Sequence, residues 1–426
     1  MRIHRGLLVA TIGIGLAVVG WAQTQTDNDF VVHEWGTFTS MQGSDGVTLE
    51  GLHHEEEALP GFVHNYAGFF GHTQRDLELR KGMPGLLCKV TEKMETPVTY
   101  FYSKKARFVR ARVMFNHGLL SQWYPYAFFH GLPGGKLPSV IDVSRIERSS
   151  LEWDIDLLPP GKDKELLSKV GDEDPWRFAR LPDSSLVRPV KAPAVRDGAT
   201  ETEKFLFYRG LGEFTLPIKA TTEPGARLTI ANNGDEAIRH LFILHVRDGR
   251  GVYEYVPKIE ARQSFTTQKS FCKVADSVKE MVVKLKDELQ KSLVAEGLYS
   301  KEAEAMASTW ERSYFHTEGL RVLYVVPDRV TEQLLPLQVD PAPKEMKRVL
   351  VGRLECLMPE VEARVVTALR DRSSDNASIR DASTAQLNRL GRFLEPQVRR
   401  ALAASIDPLV QKNGNEILKS LQPRGR

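Results

Sequence analysis

Short segments in which apolar residues occupy alternate positions dominate the chain from residue 30 to residue 270. This period, together with many β-branched and aromatic residues, is typical of half-buried β-strands. Asn-Gly and Asp-Gly pairs at 233–234 and 248–249 indicate hairpin turns. We therefore expect a β-sandwich or Greek-key arrangement in this region. The predicted strands cover residues 96–102, 107–115, 150–157, 204–208, 227–230, 240–246 and 251–256.

The period changes near residue 275. From Val278 to Leu293 apolar residues recur every three or four positions, which predicts an amphipathic helix over 275–296. A buried strand is expected over 320–326. Further helices are predicted over 300–315, 359–370, 384–404 and 408–421. The predicted fold class is α+β, with a β-rich, sandwich-like N-terminal and central region followed by a helical C-terminal part.

The first residues have the pattern of a secretory signal peptide. Arg2 and Arg5 precede an uncharged, mostly apolar stretch, and Gly20 and Ala22 provide small residues before a cleavage site. Because there is no cysteine near Ala22 and no twin arginine, we expect export by the general secretory route to the periplasm or the exterior. Retention as an anchor is the alternative, since the stretch approaches the ~18 residues of a membrane span. No later segment is apolar for long enough to cross a bilayer, so no transmembrane span is expected after cleavage.

These patterns divide the chain into five parts. They are a signal peptide (1–22), a flexible leader (23–29), a β-rich region (30–270), helices and a buried strand that pack on the β-rich region (271–340), and a basic helical region (341–426). The last part holds 16 Lys and Arg against 10 Asp and Glu, whereas residues 23–340 hold 40 against 45. The net charge of the whole chain is only +3, so we expect no nucleic-acid partner.

Several classes of site are excluded by composition and motif. The three cysteines, Cys88, Cys272 and Cys356, lie far apart. They allow at most one disulfide and provide no Cys-x-x-Cys for a thiolate zinc or redox site. The chain also has no Gly-x-Ser-x-Gly motif and no phosphate-binding loop.

Histidines and glutamates concentrate in one stretch. Five of the eleven histidines lie between residues 33 and 72, and the glycine- and proline-bounded loop 51–61 holds two of them beside three glutamates. Imidazole nitrogen and carboxylate oxygen are ligands of Zn, Mn, Fe and Cu(II). We predict a divalent transition metal, with zinc expected first, and Glu55 or Glu57 as a further ligand or a catalytic general base. A solvated acidic turn is the alternative, because the His-Glu-x-x-His pattern is absent. The predicted metal ligands are His33, His53, His54 and His64.

The chain resembles an uncharacterised family of exported bacterial proteins. The resemblance rests on the Val-His-Glu-Trp-Gly-Thr-Phe motif at residues 32–38 and on segments 51–57, 59–64, 94–102, 208–212 and 319–327. It covers most of the mature chain and implies one integrated protein. It implies no established activity, substrate or cofactor.

Two functions follow as hypotheses. The first is an exported metal-binding protein or metal-dependent hydrolase that uses the loop at 51–61. The alternative is a non-enzymatic cell-envelope protein that recognises glycan or protein through its β surface, using the aromatic stretch 122–131. Whether the protein is an enzyme is left open by the sequence.

Overall fold

The structure is a computed structural model, and it describes only part of the chain. The described residues are 27–54, 58–66, 86–132, 140–160, 166–190, 201–225, 227–267, 271 and 276–421. The predicted signal peptide, most of the leader, Glu55, Glu57, His72 and Cys272 lie outside them.

The predicted α+β class is confirmed, because strands form the N-terminal and central region and helices follow towards the C-terminus. Within the described residues no helix is long and apolar enough to cross a membrane. The strands are β1 (Asp27–Gln42), β2 (His64–Asn65), β3 (Leu86–Cys88), β4 (Glu92–Ser103), β5 (Arg107–Asn116), β6 (Gly118–Tyr124), β7 (Phe128–His130), β8 (Val140–Asp142), β9 (Arg148–Leu158), β10 (Leu186–Pro189), β11 (Leu206–Gly212), β12 (Ile218–Glu223), β13 (Arg227–Asn232), β14 (Ile238–Arg247), β15 (Arg250–Ile259), β16 (Ser264–Thr266), β17 (Asp276–Ser277), β18 (Gly319–Val325), β19 (Leu337–Asp340) and β20 (Pro343–Cys356). The helices are α1 (Trp176–Ala179), α2 (Val278–Ala295), α3 (Ser300–Trp310), α4 (Asp328–Leu334), α5 (Pro359–Asp371), α6 (Ala377–Asn388), α7 (Leu394–Ala404) and α8 (Pro408–Leu421).

A ten-stranded mixed sheet forms the centre of the molecule. Its strand order is β17-β15-β14-β18-β20-β1-β4-β11-β6-β2. β1 pairs in parallel with β20 and antiparallel with β4. The strand Pro343–Cys356 was not predicted from the sequence, which placed it in the basic helical region. Its pairing with Asp27–Gln42 brings segments more than 300 residues apart in the sequence together in one sheet.

Both faces of this sheet are covered. A five-stranded sheet, in which β10, β9, β5 and β19 follow one another and β7 pairs with β9, packs on one face. Helices α2 and α3 pack on the other face, through a core that includes Trp35, Leu285 and Trp310. Adjacent residues of β1 therefore point into different cores, so His33 and Glu34 are both fully buried.

The last four helices, α5 to α8, form a bundle with its own apolar core. A small cluster of Met41, Leu49, Leu52 and Leu357, with Phe393 packed against it, joins this bundle to the sheet. The single helix expected over 384–404 is two helices, because Gly391 between them has φ +53° and begins a short 3₁₀ turn. A carboxylate in the first turn of α7 is thereby placed beside the loop that follows β1.

Candidate metal centre

The loop that carries His53 and His54 is fixed by backbone contacts and one apolar anchor. Leu49 N donates to Met41 O (2.8 Å), and Gly51 N donates to Val90 O (2.9 Å). The Leu52 side chain is buried in the cluster that joins the sheet to the bundle. Gly51 has φ +101°, a conformation that glycine adopts readily. The loop therefore presents its two histidines towards the bundle.

His53 and His54 meet one carboxylate oxygen there. Nε2 of His54 lies 3.0 Å from Oε2 of Glu395, and Nε2 of His53 lies 3.5 Å from the same oxygen. One ring nitrogen of each histidine and one carboxylate oxygen of Glu395 lie within 4.8 Å of one another. Two ligands of a tetrahedral zinc ion, each about 2.1 Å from the metal, are about 3.4 Å apart. The two observed nitrogen–oxygen distances, 3.0 and 3.5 Å, lie close to this value.

Glu395 is oriented by its own helix. Arg399, one turn further along α7, donates Nε (2.9 Å) and Nη2 (2.7 Å) to Oε1, which leaves Oε2 facing the histidines. Burial raises the pKa of Glu395, but the hydrogen bond with His54 and the charge of Arg399 outweigh it and hold that pKa below its usual range. A side chain at Gly51 would collide here, since its Cβ would lie 2.7 Å from Cγ of Glu395.

His53 is held in the neutral form. Burial lowers the pKa of His53 to about 4, although the Glu395 carboxylate raises it. Neutral imidazole is the form that binds metal ions. Lys93 lies close by and donates Nζ to the backbone oxygen of His54 (2.9 Å), which fixes the loop without using an imidazole nitrogen.

The other predicted ligands have different partners. Nδ1 of His33 lies 2.8 Å from Oε2 of Glu302 in the core between sheet and helices. Nε2 of His64 lies 2.7 Å from Oε1 of Glu201. Neither histidine belongs to the group formed by His53 and His54, and in the part of the chain that the structure describes this is the one group of three or more such side chains. Glu55, Glu57 and His72 fall outside the described residues, whereas His117 and His130 are exposed.

Glu395 was not among the predicted site residues. It lies 341 residues after His54, and the sequence placed it inside a long helix over 384–404. Pro396 was the available signal, because proline is favoured in the first turn of a helix and marks a new start there. Acidic residues are common in the first turn of a helix because they stabilise it, so the presence of a glutamate there did not by itself suggest a metal ligand.

The aromatic stretch 122–131 mostly faces inward. Trp123 and Tyr124 are 0% and 1% exposed. Trp123 stacks on Phe129, and Tyr124 contacts Phe62. Phe128 is exposed, and Tyr126 and Phe129 are half-buried.

Comparisons with known proteins add no function. No protein-family model matches the chain, and no curated protein matches it. Among solved structures, the yeast delta-COP-I mu-homology domain complexed with a Dsl1 WxWxV peptide is similar with a TM-score of 0.25 and 8% identity, covering 78% of this chain and 96% of that one. The yeast delta-COP-I mu-homology domain alone gives a TM-score of 0.24 and 9% identity over the same shares. Similarity at this level carries no argument, and the resemblance to the exported family stays a prediction.

Proposed function

We propose that this protein is an exported metal-binding protein that holds one divalent transition ion, zinc first, through His53, His54 and Glu395. The observation that carries the proposal is the convergence of one ring nitrogen of each histidine and one carboxylate oxygen within 4.8 Å, with both Nε2 atoms within 3.5 Å of Oε2 of Glu395. Two nitrogen ligands and one oxygen ligand suit Zn better than Mg or Ca, which prefer oxygen alone. The predicted signal peptide supports export to a compartment outside the cytoplasm.

The surroundings of the three side chains support a built site. Arg399 holds the carboxylate through Oε1, as outer partners of metal ligands commonly do. Gly51 provides the space that Glu395 occupies. Because the histidines come from the loop after β1 and the carboxylate from α7, a bound ion links the sheet to the helical bundle. Metal binding is therefore expected to stabilise this junction.

Metal-dependent hydrolysis is the enzymatic form of this proposal. Three protein ligands leave a fourth position for water, which is the arrangement of catalytic zinc sites. A bound zinc ion lowers the pKa of that water and so supplies a hydroxide nucleophile. Glu55 directly follows His54 in the sequence and Glu57 lies two residues further on, and these are the proposed general bases.

Zinc titration of the metal-free protein tests the proposal. The protein is prepared without an affinity tag, stripped with a chelator, and titrated against a competing chromophoric chelator. We expect one zinc ion per chain, and we expect His53→Ala, His54→Ala and Glu395→Gln each to weaken binding at least tenfold. A folded wild-type protein that binds no zinc, nickel or cobalt would overturn the proposal.

Glu362 offers a matched control for Glu395. Glu362 lies in the first turn of α5, accepts from Ser44 N (3.0 Å) and is paired with Arg400 (3.1 Å) at the same junction between sheet and bundle. Glu362→Gln therefore perturbs the junction without touching the proposed ligands. We expect this variant to keep wild-type zinc affinity. Equal weakening by Glu362→Gln and Glu395→Gln would show that the loss reflects the junction and not a ligand.

A further inference from the structure

A second buried site lies between the ten-stranded sheet and helix α3. It is a cavity of about 60 Å³ lined by apolar side chains of both layers. Trp35 of β1 and Trp310 of α3 meet edge to face, with ring centroids 6.3 Å apart. Trp176 of α1 and Phe207 of β11 close another wall, with centroids 4.8 Å apart. The walls therefore suit a planar or branched apolar group.

Polar groups without partners line the same cavity. Nε and Nη1 of Arg209, Nε1 of Trp310 and Oγ1 of Thr96 are buried and have no hydrogen-bond partner among the described residues. Arg209 is 8% exposed and Trp310 is 1% exposed. Buried donors in folded proteins are nearly always paired, so this group indicates a ligand or ordered solvent that accepts hydrogen bonds.

Glu95, the buried acid that lines the cavity, already has partners at both carboxylate oxygens. Oε1 of Glu95 lies 2.7 Å from Nζ of Lys93. Oε2 of Glu95 accepts from the hydroxyls of Tyr314 (2.9 Å) and Thr39 (3.1 Å). The groups left over at Arg209 and Trp310 are donors, and one of them is a cation. The missing partner must therefore bring acceptor oxygens. A carboxylate can accept from the unpartnered guanidinium nitrogens of Arg209, although the Glu95 carboxylate already acts on that charge and the half-buried Asp174 also lines the cavity.

The strands and the helix are irregular where they meet this cavity. The register between β1 and β4 shifts between Trp35 and Thr37, and that between β11 and β4 shifts between Phe207 and Gly210. Thr96 has φ +52°, which is unusual for a β-branched residue. The π-helical turn Glu311–Phe315 follows α3 directly and contributes Tyr314 to the lining. Bulges and π-turns of this kind re-aim side chains and are concentrated near binding sites.

We propose that this cavity binds a small organic carboxylate. The carboxylate is held by Arg209 and by Nε1 of Trp310, and the apolar body lies against Trp35 and Trp176. At about 10–15 Å³ for each water-sized group, the cavity holds four to six such groups. A branched acid the size of isobutyrate therefore fits. This site shares none of the three proposed metal ligands, so it is a function beyond metal binding.

Calorimetric titration of the full-length, metal-free protein with isobutyrate tests the proposal. Work with metal-free protein keeps the result separate from that of the zinc experiment. We expect one saturable site with Kd below about 1 mM. We expect isobutyramide, which has the same shape without the charge, to bind at least tenfold more weakly.

Three variants assign the binding to these side chains. Arg209→Met removes the guanidinium and should raise Kd at least tenfold, and Trp310→Phe keeps an aromatic ring without its N–H and should raise Kd about threefold. Arg227→Met changes an exposed arginine of β13 and should leave Kd unchanged. Circular dichroism checks that each variant is folded.

Four results would overturn the proposal. They are the absence of saturable isobutyrate binding, equal binding of isobutyramide, wild-type affinity in folded Arg209→Met, and equal affinity for inorganic sulfate. The last result would show that the apolar walls contribute nothing to recognition.

Discussion

Two glutamates on β4 are both buried but lie in opposite electrostatic surroundings. Glu95 is paired with Lys93 and accepts from Tyr314. Burial raises its pKa, but the charges of Lys93, Arg209 and Arg353 outweigh burial and lower the pKa of Glu95 to about 2. Glu92, three residues earlier, has only a hydrogen bond with Ser40 to offset burial, and its pKa is raised well above the usual range.

The contribution of Glu95 to stability follows from linkage. A pKa that falls from 4.5 to about 2 on folding corresponds to about 3 kcal/mol, at ~1.36 kcal/mol per pKa unit. Because the folded pKa is the lower one, this stabilisation is present above pH 4.5 and is lost as the pH falls towards 2. We expect Glu95→Gln to lower the free energy of unfolding by about 3 kcal/mol at pH 7, since it leaves Lys93 buried without its counterion.

Glu92→Gln is the matched control, with the opposite sign. Burial raises the pKa of Glu92 above that in the unfolded chain, so Glu92 lowers stability as the pH rises from 4.5 towards its folded pKa. We expect Glu92→Gln to leave the free energy of unfolding at pH 7 unchanged or to raise it.

Urea unfolding followed by tryptophan fluorescence measures both effects. The curves are collected at pH 7 and at pH 3, where the difference between wild type and Glu95→Gln should shrink. The reasoning is refuted if the two variants lose equal stability at pH 7. It is also refuted if the loss in Glu95→Gln is as large at pH 3 as at pH 7.

Three further variants and one control variant test packing and site geometry. Gly51→Ala should weaken zinc binding at least tenfold in a competition titration, because its Cβ would lie 2.7 Å from Cγ of Glu395 and φ is +101°; wild-type affinity would contradict the placement of the loop. Gly352→Ala should lower the free energy of unfolding, measured with urea, by at least ~3 kcal/mol or prevent folding, because the new Cβ would lie 2.1 Å from Cζ of the buried Tyr324. A Cβ added at Gly171 would have no atom within 4 Å, so Gly171→Ala should leave the free energy of unfolding unchanged in the same assay. Leu369 is fully buried in the helical bundle. Leu369→Ala should therefore lower the free energy of unfolding by about 2–5 kcal/mol and speed amide hydrogen exchange over residues 359–421. Unchanged hydrogen exchange in these residues would contradict the bundle core.

Elements whose pattern is local were predicted well from the sequence. The strand expected over 107–115 is Arg107–Asn116, and the helix expected over 408–421 is Pro408–Leu421. Both have one buried face, so their apolar residues recur with a clear period. Pro343–Cys356 was missed because its first half is rich in charged residues and it is buried on both faces from Arg348 onward. A strand in that position does not show the alternation on which the prediction depends.

The candidate site was only partly predictable for a related reason. His53 and His54 are neighbours in the sequence, so their pairing was visible there. Glu395 reaches them only because a helix break at Gly391 and the apolar cluster around Leu52 bring α7 to the loop. The carboxylate cavity is likewise assembled from distant segments. The sequence could not show that Arg209 and Trp310 line one cavity with nitrogens that have no partner among the described residues.

The central claim is that one metal ion binds between the loop after β1 and helix α7. The most direct measurement is an anomalous difference map, collected at the zinc absorption edge, from crystals of the tag-free protein grown with stoichiometric zinc. The account predicts one strong peak about 2.0–2.2 Å from Nε2 of His53, Nε2 of His54 and Oε2 of Glu395. A map with no peak at these atoms, or with its strongest peak at His33 or His64, would contradict it.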